Sequence, residues 1–174
     1  AMARPNTKKL LGAFIAFLAI MVGTFLFLIV GLFSFIEPTK IDELDPDYLG
    51  LQDFFRNPPV QLMQSHLVDT SWIGDIEKAF AVRVNGMDTE LLWQQQGVVR
   101  GDRLTQELEK AVEFIGSMLD SGYVDWFPSV EEMHRDSYYL YLVDIVMRGE
   151  YPRIAKLIVM RPFDDMAFFA HLEY

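Results

Sequence analysis

The chain has 174 residues and a mass of 20.1 kDa, which is room for one domain of ordinary size. Hydrophobic residues make up 51% of it and charged residues 23%, a composition that excludes a disordered or collagen-like chain. Because the chain contains no cysteine, it has no disulfide, no cysteine-ligated zinc or iron–sulfur cluster and no cysteine nucleophile.

The charge is divided unevenly along the chain. Residues 1–36 contain three basic residues and no acid, a charge of +3, which leaves −13 for residues 37–174 out of the total of −10. Phosphate groups would repel this larger, acidic part. We therefore expect no nucleic-acid partner and no electrostatic binding of residues 37–174 to an anionic membrane surface.

An uncharged run of 27 residues, Leu10 to Ile36, follows the basic residues Lys8 and Lys9. As a helix it would be about 40 Å long, more than the roughly 30 Å of hydrocarbon in a bilayer. Apolar residues occupy every face, and the run is longer than the ~7–15 residues typical of a cleaved signal peptide. The run predicts one transmembrane helix over residues 10–36 that is retained as a signal anchor.

The basic flank predicts the orientation of this helix. Cytoplasmic ends of membrane helices are enriched in Lys and Arg. Residues 1–9 are therefore expected to form a short cytoplasmic tail, and residues from 37 onward to lie outside the cytoplasm, in the periplasm if the source is bacterial and in a lumen or at the exterior otherwise. The chain has no N-x-S/T sequon, which agrees with a bacterial source and with a helix in its inner membrane. Gly23 and Gly31 are candidates for a helix-packing face, because small residues let a second helix approach closely.

Acidic residues and prolines follow the apolar run. Five acids lie between residues 37 and 47, with prolines at positions 38 and 46. Proline opposes a continuous helix. Residues 37–58 are therefore predicted to form an extended, acidic juxtamembrane linker, and residues 59–174 the extracytoplasmic domain.

The first half of this domain predicts a helix and a hairpin. Pro58–Pro59 are typical of a helix start, here over residues 60–68. Apolar and other residues alternate over 79–84, as in a half-buried strand. Asn85–Gly86 then favour a tight turn into a second strand over 88–93.

The second half predicts two helices and three strands. Apolar residues recur at helical spacing over 103–120, with Asp102 as the expected N-cap. Ser129 and Glu132 have capping-box spacing and predict a second, short helix. Aromatic and β-branched residues predict strands over residues 138–148, 153–161 and 166–174, with a helix as the alternative for the last.

This order of elements predicts an α+β domain with one mostly antiparallel sheet of about five strands and the helices on one face. Over roughly residues 72–174 the order resembles that of PAS-like and profilin-like domains, including extracytoplasmic sensor domains. It also partly resembles the NTF2-like fold of periplasmic subunits in bacterial secretion machines. The first resemblance implies ligand sensing, and the second implies assembly with other proteins.

Motifs for catalysis or metal binding are weak. The three histidines, His66, His134 and His171, lack metal-ligand spacing, and the chain has no dinucleotide or phosphate-binding motif. We expect no cofactor and no metal. A histidine beside carboxylates can act as a general base, so the least improbable catalytic candidates are Glu131, Glu132, His134 and Asp136. The alternative interpretation of the same residues is a capped helix turn that faces solvent.

Aromatic residues with polar tips favour recognition surfaces. The candidates for a contact surface are Tyr123, Trp126, Phe127, Tyr139 and Tyr141. Core packing is the alternative interpretation of the same residues, and a small-ligand pocket between sheet and helices is another.

Together these features predict a single-pass membrane protein that acts as a non-catalytic interaction or accessory subunit of a cell-envelope complex. Its partners would be proteins of that complex or a second copy of the chain. One alternative is a membrane-anchored PAS-like sensor, and another is an anchored carboxylate-based hydrolase.

Overall fold

The chain divides into two compact units, residues 1–37 and 38–174. The computed structural model describes residues 17–18, 20–27, 45–55, 60–70, 75–119, 122 and 124–174. In the first unit, residues 17–18 and 20–27 are helical and exposed. Most of the predicted membrane span lies outside the described residues. Among those described, no helix is both long enough and apolar enough to cross a bilayer.

One antiparallel sheet organises the second unit. Its described strands are β1 (Val60–Thr70), β2 (Asp75–Val84), β3 (Val98–Arg100), β4 (Tyr139–Arg148), β5 (Tyr151–Arg161) and β6 (Met166–Glu173). Their spatial order is β1-β2-β6-β5-β4-β3, so β1 and β3 are the edge strands. The described helices of this unit are α1 (Pro46–Phe55), α2 (Thr89–Gln94), α3 (Gln106–Leu119) and α4 (Val130–Met133).

The α+β class and the antiparallel sheet are confirmed, but the described part of the chain has six strands in this sheet and not about five, and helices cover both faces of the sheet and not one. Alternate residues of β2 are buried on opposite sides. Ala79 and Ala81 belong to a core with α3, whereas Phe80 and Val82 belong to a core with α1 and α2. We call these two sides the α3 face and the α1 face. A strand buried on both sides needs a covering layer on each.

The sixth strand is β1, over the segment for which a helix was predicted. Residues 60–68 are extended and pair with β2 from Val60, opposite Val84, to Val68, opposite Glu77. Val60, Leu62 and Leu67 pack against the core of the α1 face. The helix prediction is wrong because this long ladder, together with burial of the apolar side chains, outweighs the local signal of the preceding prolines.

The predicted hairpin is half right. Residues 79–84 lie in β2, and the chain turns at Gly86, whose φ is 81°. Residues 88–93, however, are not a strand: Asp88 is the N-cap of helix α2, and residues 89–93 belong to that helix. The Asp88 side chain accepts a hydrogen bond from the Glu90 N–H at 2.8 Å and caps α2. Both sides of β2 are already paired, with β1 and β6, so no ladder position remains for a second hairpin strand.

The extended linker predicted over residues 37–58 is wrong where the structure describes it. Residues 46–55 form α1, with Tyr48 and Leu51 buried in the core of the α1 face. Asp45 Oδ1 accepts from the Asp47 N–H at 2.9 Å, as a helix cap does. Pro46 is the first helical residue, where its missing N–H costs no hydrogen bond.

The remaining elements follow the predictions closely. Helix α3 begins at Gln106 and not at 103, because the Thr105 hydroxyl, and not Asp102, accepts the capping bond from the Leu108 N–H. Asp102 lies in a 3-10 turn and pairs with Arg100. The capping box of Ser129 is confirmed, as are the last three strands, including the strand over 166–173 that had a helix as its alternative.

Candidate functional site

The structure separates the candidate aromatic residues. Trp126 is half-buried and Phe127 is buried, both packed in the core of the α3 face, where the Phe127 ring lies 5.6 Å from that of Phe168. Tyr139 is buried and Tyr141 half-buried in the core of the α1 face. These four residues therefore do not form one surface. Tyr123 lies outside the described residues.

The candidate glycines are placed only in part. Gly23 lies in the exposed helical segment of the first unit, with no described atom within 4 Å of where a Cβ would be. Gly31 lies outside the described residues. The helix-packing face that these two glycines would form stays a prediction.

The four candidate catalytic residues have separate structural contacts. His134 Nε2 is 2.9 Å from Glu109 Oε2, and its Nδ1 is 2.7 Å from the Val130 carbonyl oxygen. These two contacts raise the pKa of His134, against the opposing effect of burial. The Glu132 carboxylate accepts from the Ser129 N–H in the capping box. The remaining two candidates are exposed, Glu131 beside Arg135 and Asp136 in the following turn.

The other two histidines are buried on opposite faces of the sheet. His66 lies opposite Ala79 on the α3 face, 3.9 Å from Glu77, and His171 lies opposite Lys78 on the α1 face. Within the part of the chain that the structure describes, no three His, Asp or Glu side chains form a group that could hold a metal ion.

Charged side chains gather where α1 begins, and local sequence signals did not predict this cluster. Lys78, His171 and Lys156 are opposite one another on the neighbouring strands β2, β6 and β5. Two aspartates from the start of α1 lie over them. We call these five residues the α1 ion cluster: Asp45, Asp47, Lys78, Lys156 and His171.

The α1 ion cluster is tightly paired around Asp47. Lys78 Nζ is 2.7 Å from Asp47 and 2.9 Å from Asp45, and Lys156 Nζ is 3.2 Å from Asp47. Burial acts to raise the pKa of Asp47, but the adjacent His171, Lys78 and Lys156 outweigh it and hold that pKa well below its usual value. An ionised carboxylate with two ammonium partners is a weak base, so this cluster is suited to fixing α1 on the sheet.

A groove of about 580 Å³ lies between the end of α1 and α2. Phe54 and Phe55 form one wall and the residues of α2 form the other. The described residues of the lining are Phe54, Phe55, Val84, Gly86, Met87, Asp88, Leu91, Leu92, Gln94, Gln95 and Gln96. The Gln95 side-chain amide donates to the Phe54 carbonyl oxygen at 3.1 Å and joins the two walls.

The described lining of the groove has little charge, although residues 38–174 are strongly acidic. Asp88 is the one ionisable residue among the described lining residues, and its carboxylate is engaged as the cap of α2. Leu92 is buried and holds α2 against the core, whereas Leu91, its neighbour, is 64% exposed at the groove. Three consecutive glutamines supply amide donors and acceptors along the same side. This chemistry suits an uncharged occupant with apolar groups and hydrogen-bonding capacity.

Comparisons with protein-family models, with curated proteins and with solved structures find no match to this chain.

Proposed function

We propose that this chain is a membrane-tethered, non-catalytic interaction subunit that binds an uncharged segment of a partner protein in the groove between α1 and α2. The observation that carries the proposal is the lining of this groove, which is partly exposed and has Asp88 as the single ionisable side chain among its described residues, whereas residues 37–174 have a charge of −13. Exposed apolar side chains beside hydrogen-bonding groups are typical of protein recognition sites.

The uncharged run over residues 10–36 supports the tether. Its length and its basic flank are those of a membrane anchor with a cytoplasmic N-terminus. The acidic unit would then be held in the periplasm beside other envelope proteins. A tether confines a binding domain near membrane-bound partners and raises its effective concentration there.

An extended peptide fits the two kinds of group that line the groove. A peptide has a backbone N–H and C=O at each residue, which the amides of Gln94, Gln95 and Gln96 are able to bind. Its apolar side chains would pack on Phe55, Met87 and Leu91. Met87 is adaptable because its thioether chain has three rotatable bonds.

The test is affinity purification of the full chain from its native membranes in mild detergent, with two matched variants. Leu91→Asp places a charge in the groove. Leu49→Asp places the same charge on an exposed leucine of α1 outside the groove. A partner recovered in stoichiometric amount with the wild type and with Leu49→Asp, and reduced about tenfold or more with Leu91→Asp, supports the proposal. Recovery that is insensitive to Leu91→Asp contradicts it.

The volume of the groove favours one second candidate function. Small-molecule sites typically occupy roughly 300–1,000 Å³, and about 580 Å³ lies within that range. A ligand-sensing domain, as the PAS-like order implies, is therefore the alternative. A small molecule that co-purifies with the wild type and raises its melting temperature, but not that of Leu91→Asp, would favour the sensor over the protein-binding subunit.

A further inference from the structure

Asn85 and Gly86 form an exposed turn between β2 and α2, beside the groove. Strand β2 ends at Val84, and α2 begins at Thr89. Both turn residues are exposed, and Gly86 has a φ of 81°. A Cβ at Gly86 would meet no described atom within 4 Å. The backbone amide of Gly86 is therefore sterically accessible, both to water and to the side chain of the residue before it.

The hydrogen bonds around this turn leave its reactive groups free. The Met87 N–H does not close the turn by donating to the Val84 carbonyl oxygen, but donates to Asp165 Oδ1 at 3.0 Å. The Val84 N–H donates to the Asp165 carbonyl oxygen at 2.8 Å. Among the described residues, none forms a hydrogen bond with the Gly86 N–H or with the Asn85 side chain. These two groups can therefore approach each other without breaking a hydrogen bond.

Asparagine is chemically labile, and the residue that follows it decides how readily its side chain cyclises. Attack of the next backbone nitrogen on Cγ closes a five-membered ring, and glycine lacks the Cβ that hinders this approach. The chain contains two further asparagines, Asn6 before Thr7 and Asn57 before Pro58. Threonine is branched at Cβ, and proline has no N–H to lose. The sequence therefore favours cyclisation at Asn85 over the other two positions.

We propose that Asn85 is a site of spontaneous modification, where a cyclic imide converts it to aspartate and isoaspartate. The Gly86 nitrogen bonds to Asn85 Cγ, the bond from Cγ to the side-chain nitrogen breaks, and ammonia leaves with the proton of the Gly86 N–H. Water then opens the ring, giving its hydroxyl to a carbonyl carbon and its proton to the ring nitrogen. Cleavage of the new bond at Cγ gives aspartate. Cleavage of the original peptide bond gives isoaspartate, whose main chain is one carbon longer.

Either product adds a carboxylate beside the groove. Gly86 is a lining residue, and Asp88 is the one ionisable residue among the described residues of that lining. A second carboxylate opposes an uncharged, apolar occupant, because an ionised group is costly to remove from water. This consequence rests on the proposed function, whereas the modification itself does not.

The test is a timed incubation of the full chain in mild detergent and mildly alkaline buffer, followed by peptide mapping with mass spectrometry. Replacement of the amide by a carboxyl group raises the mass by about 1 Da. We expect this gain in the peptide that contains Asn85, in two separable forms, at a rate at least about tenfold higher than at Asn6. The Asn85→Gln variant is the matched control. Its longer side chain would have to close a six-membered ring, so no gain is expected at this position.

The chain unfolded in guanidinium chloride separates the contribution of the structure from that of the sequence. Because the turn is open, we expect Asn85 in the folded chain to react within about tenfold of its rate in the unfolded chain. The proposal is overturned if Asn85 stays intact in the folded chain while the unfolded chain is modified. An equal rate at Asn6, or the same gain in the Asn85→Gln variant, also overturns it. The measurement needs no partner, so its failure is distinguishable from a failure of the proposed function.

Discussion

Asp47 joins α1 to two strands of the sheet. Its side chain is 16% exposed and lies within hydrogen-bond distance of both Lys78 and Lys156. Asp47→Asn keeps the shape but leaves the two lysines without this charged partner. We expect it to lower the free energy of unfolding at pH 7 by about 2 kcal/mol in a urea titration. Asp53→Asn, on an exposed position of the same helix, is the control and is expected to change it by less than about 0.5 kcal/mol.

The contribution of Asp47 to the free energy of unfolding also depends on pH, and the direction of this dependence follows from its pKa. The pKa of Asp47 in the folded protein lies below its ordinary value of 3.8. A lowered carboxyl pKa stabilises the fold above the unfolded-state value, and this stability is lost as the pH falls through the folded-state value. The difference in the free energy of unfolding between the wild type and Asp47→Asn is therefore expected to be constant above about pH 5 and to decrease below pH 3.8. A difference that is unchanged at pH 2.5 would contradict this account.

The stability that His134 contributes depends on pH in the opposite sense to that of Asp47. Its contacts with the Val130 carbonyl and the Glu109 carboxylate raise its pKa above the ordinary 6.5. The resulting stability is complete below pH 6.5 and is lost as the pH rises through the folded-state pKa. In Glu109→Gln we expect the His134 pKa, followed by the NMR shifts of its ring protons, to fall. Glu107→Gln, an exposed position on the same helix, is expected to leave it unchanged.

At the scale of elements, Gly101 allows the turn before α3 to approach α4. A Cβ at this position would collide with the backbone carbonyl oxygens of Met133 and Arg135. Backbone atoms cannot move aside as a side chain does, so we expect Gly101→Ala to lower the free energy of unfolding by more than about 2 kcal/mol.

Gly50, in α1, is the matched control for this prediction. A Cβ there meets no described atom within 4 Å, and alanine is the better helix former. Gly50→Ala is therefore expected to raise the free energy of unfolding by up to about 1 kcal/mol. Thermal melts of both variants give the comparison, and a similar loss in the two would show that the contact with α4 is not the cause.

Most elements with strong local signals are predicted correctly, whereas β1, which depends on a distant partner, is not. The capping box of Ser129 and the aromatic and β-branched residues of β4 and β5 act within a few residues. Strand β1 instead depends on its ladder with β2, which no local pattern reveals. Helix α2 had a local signal that was missed, since Asp88 is a favoured N-cap residue type.

The candidate site was less predictable for the same reason. Asp47 meets Lys78 and Lys156 only because β2, β6 and β5 are neighbours in the sheet, an order that the sequence does not display. The groove likewise requires α2, where the local sequence pattern predicts a strand. The apolar pair Phe54–Phe55 was visible in the sequence, but its place opposite α2 follows from the tertiary structure.

At the scale of the whole molecule, charge and hydropathy divide the chain within one residue of its division into compact units. The change from +3 to −13 occurs between residues 36 and 37, and the first compact unit ends at residue 37. Lys and Arg beside a membrane helix favour the cytoplasmic side, whereas Asp and Glu and a long folded segment contribute little to orientation. The three basic residues before the apolar run therefore support a definite orientation in the proposed tethered protein.

Single cysteines in the full chain measure that orientation directly. We expect Ser137→Cys to react with a membrane-impermeant maleimide in intact spheroplasts, because residues 38–174 would face outward. Thr7→Cys, in the basic N-terminal segment, is expected to react only after the membrane is permeabilised. The cysteine-free wild type is the background control. Labelling of both variants in intact spheroplasts, or of Thr7→Cys alone, would contradict the orientation, because the positive-inside rule retains the basic end in the cytoplasm.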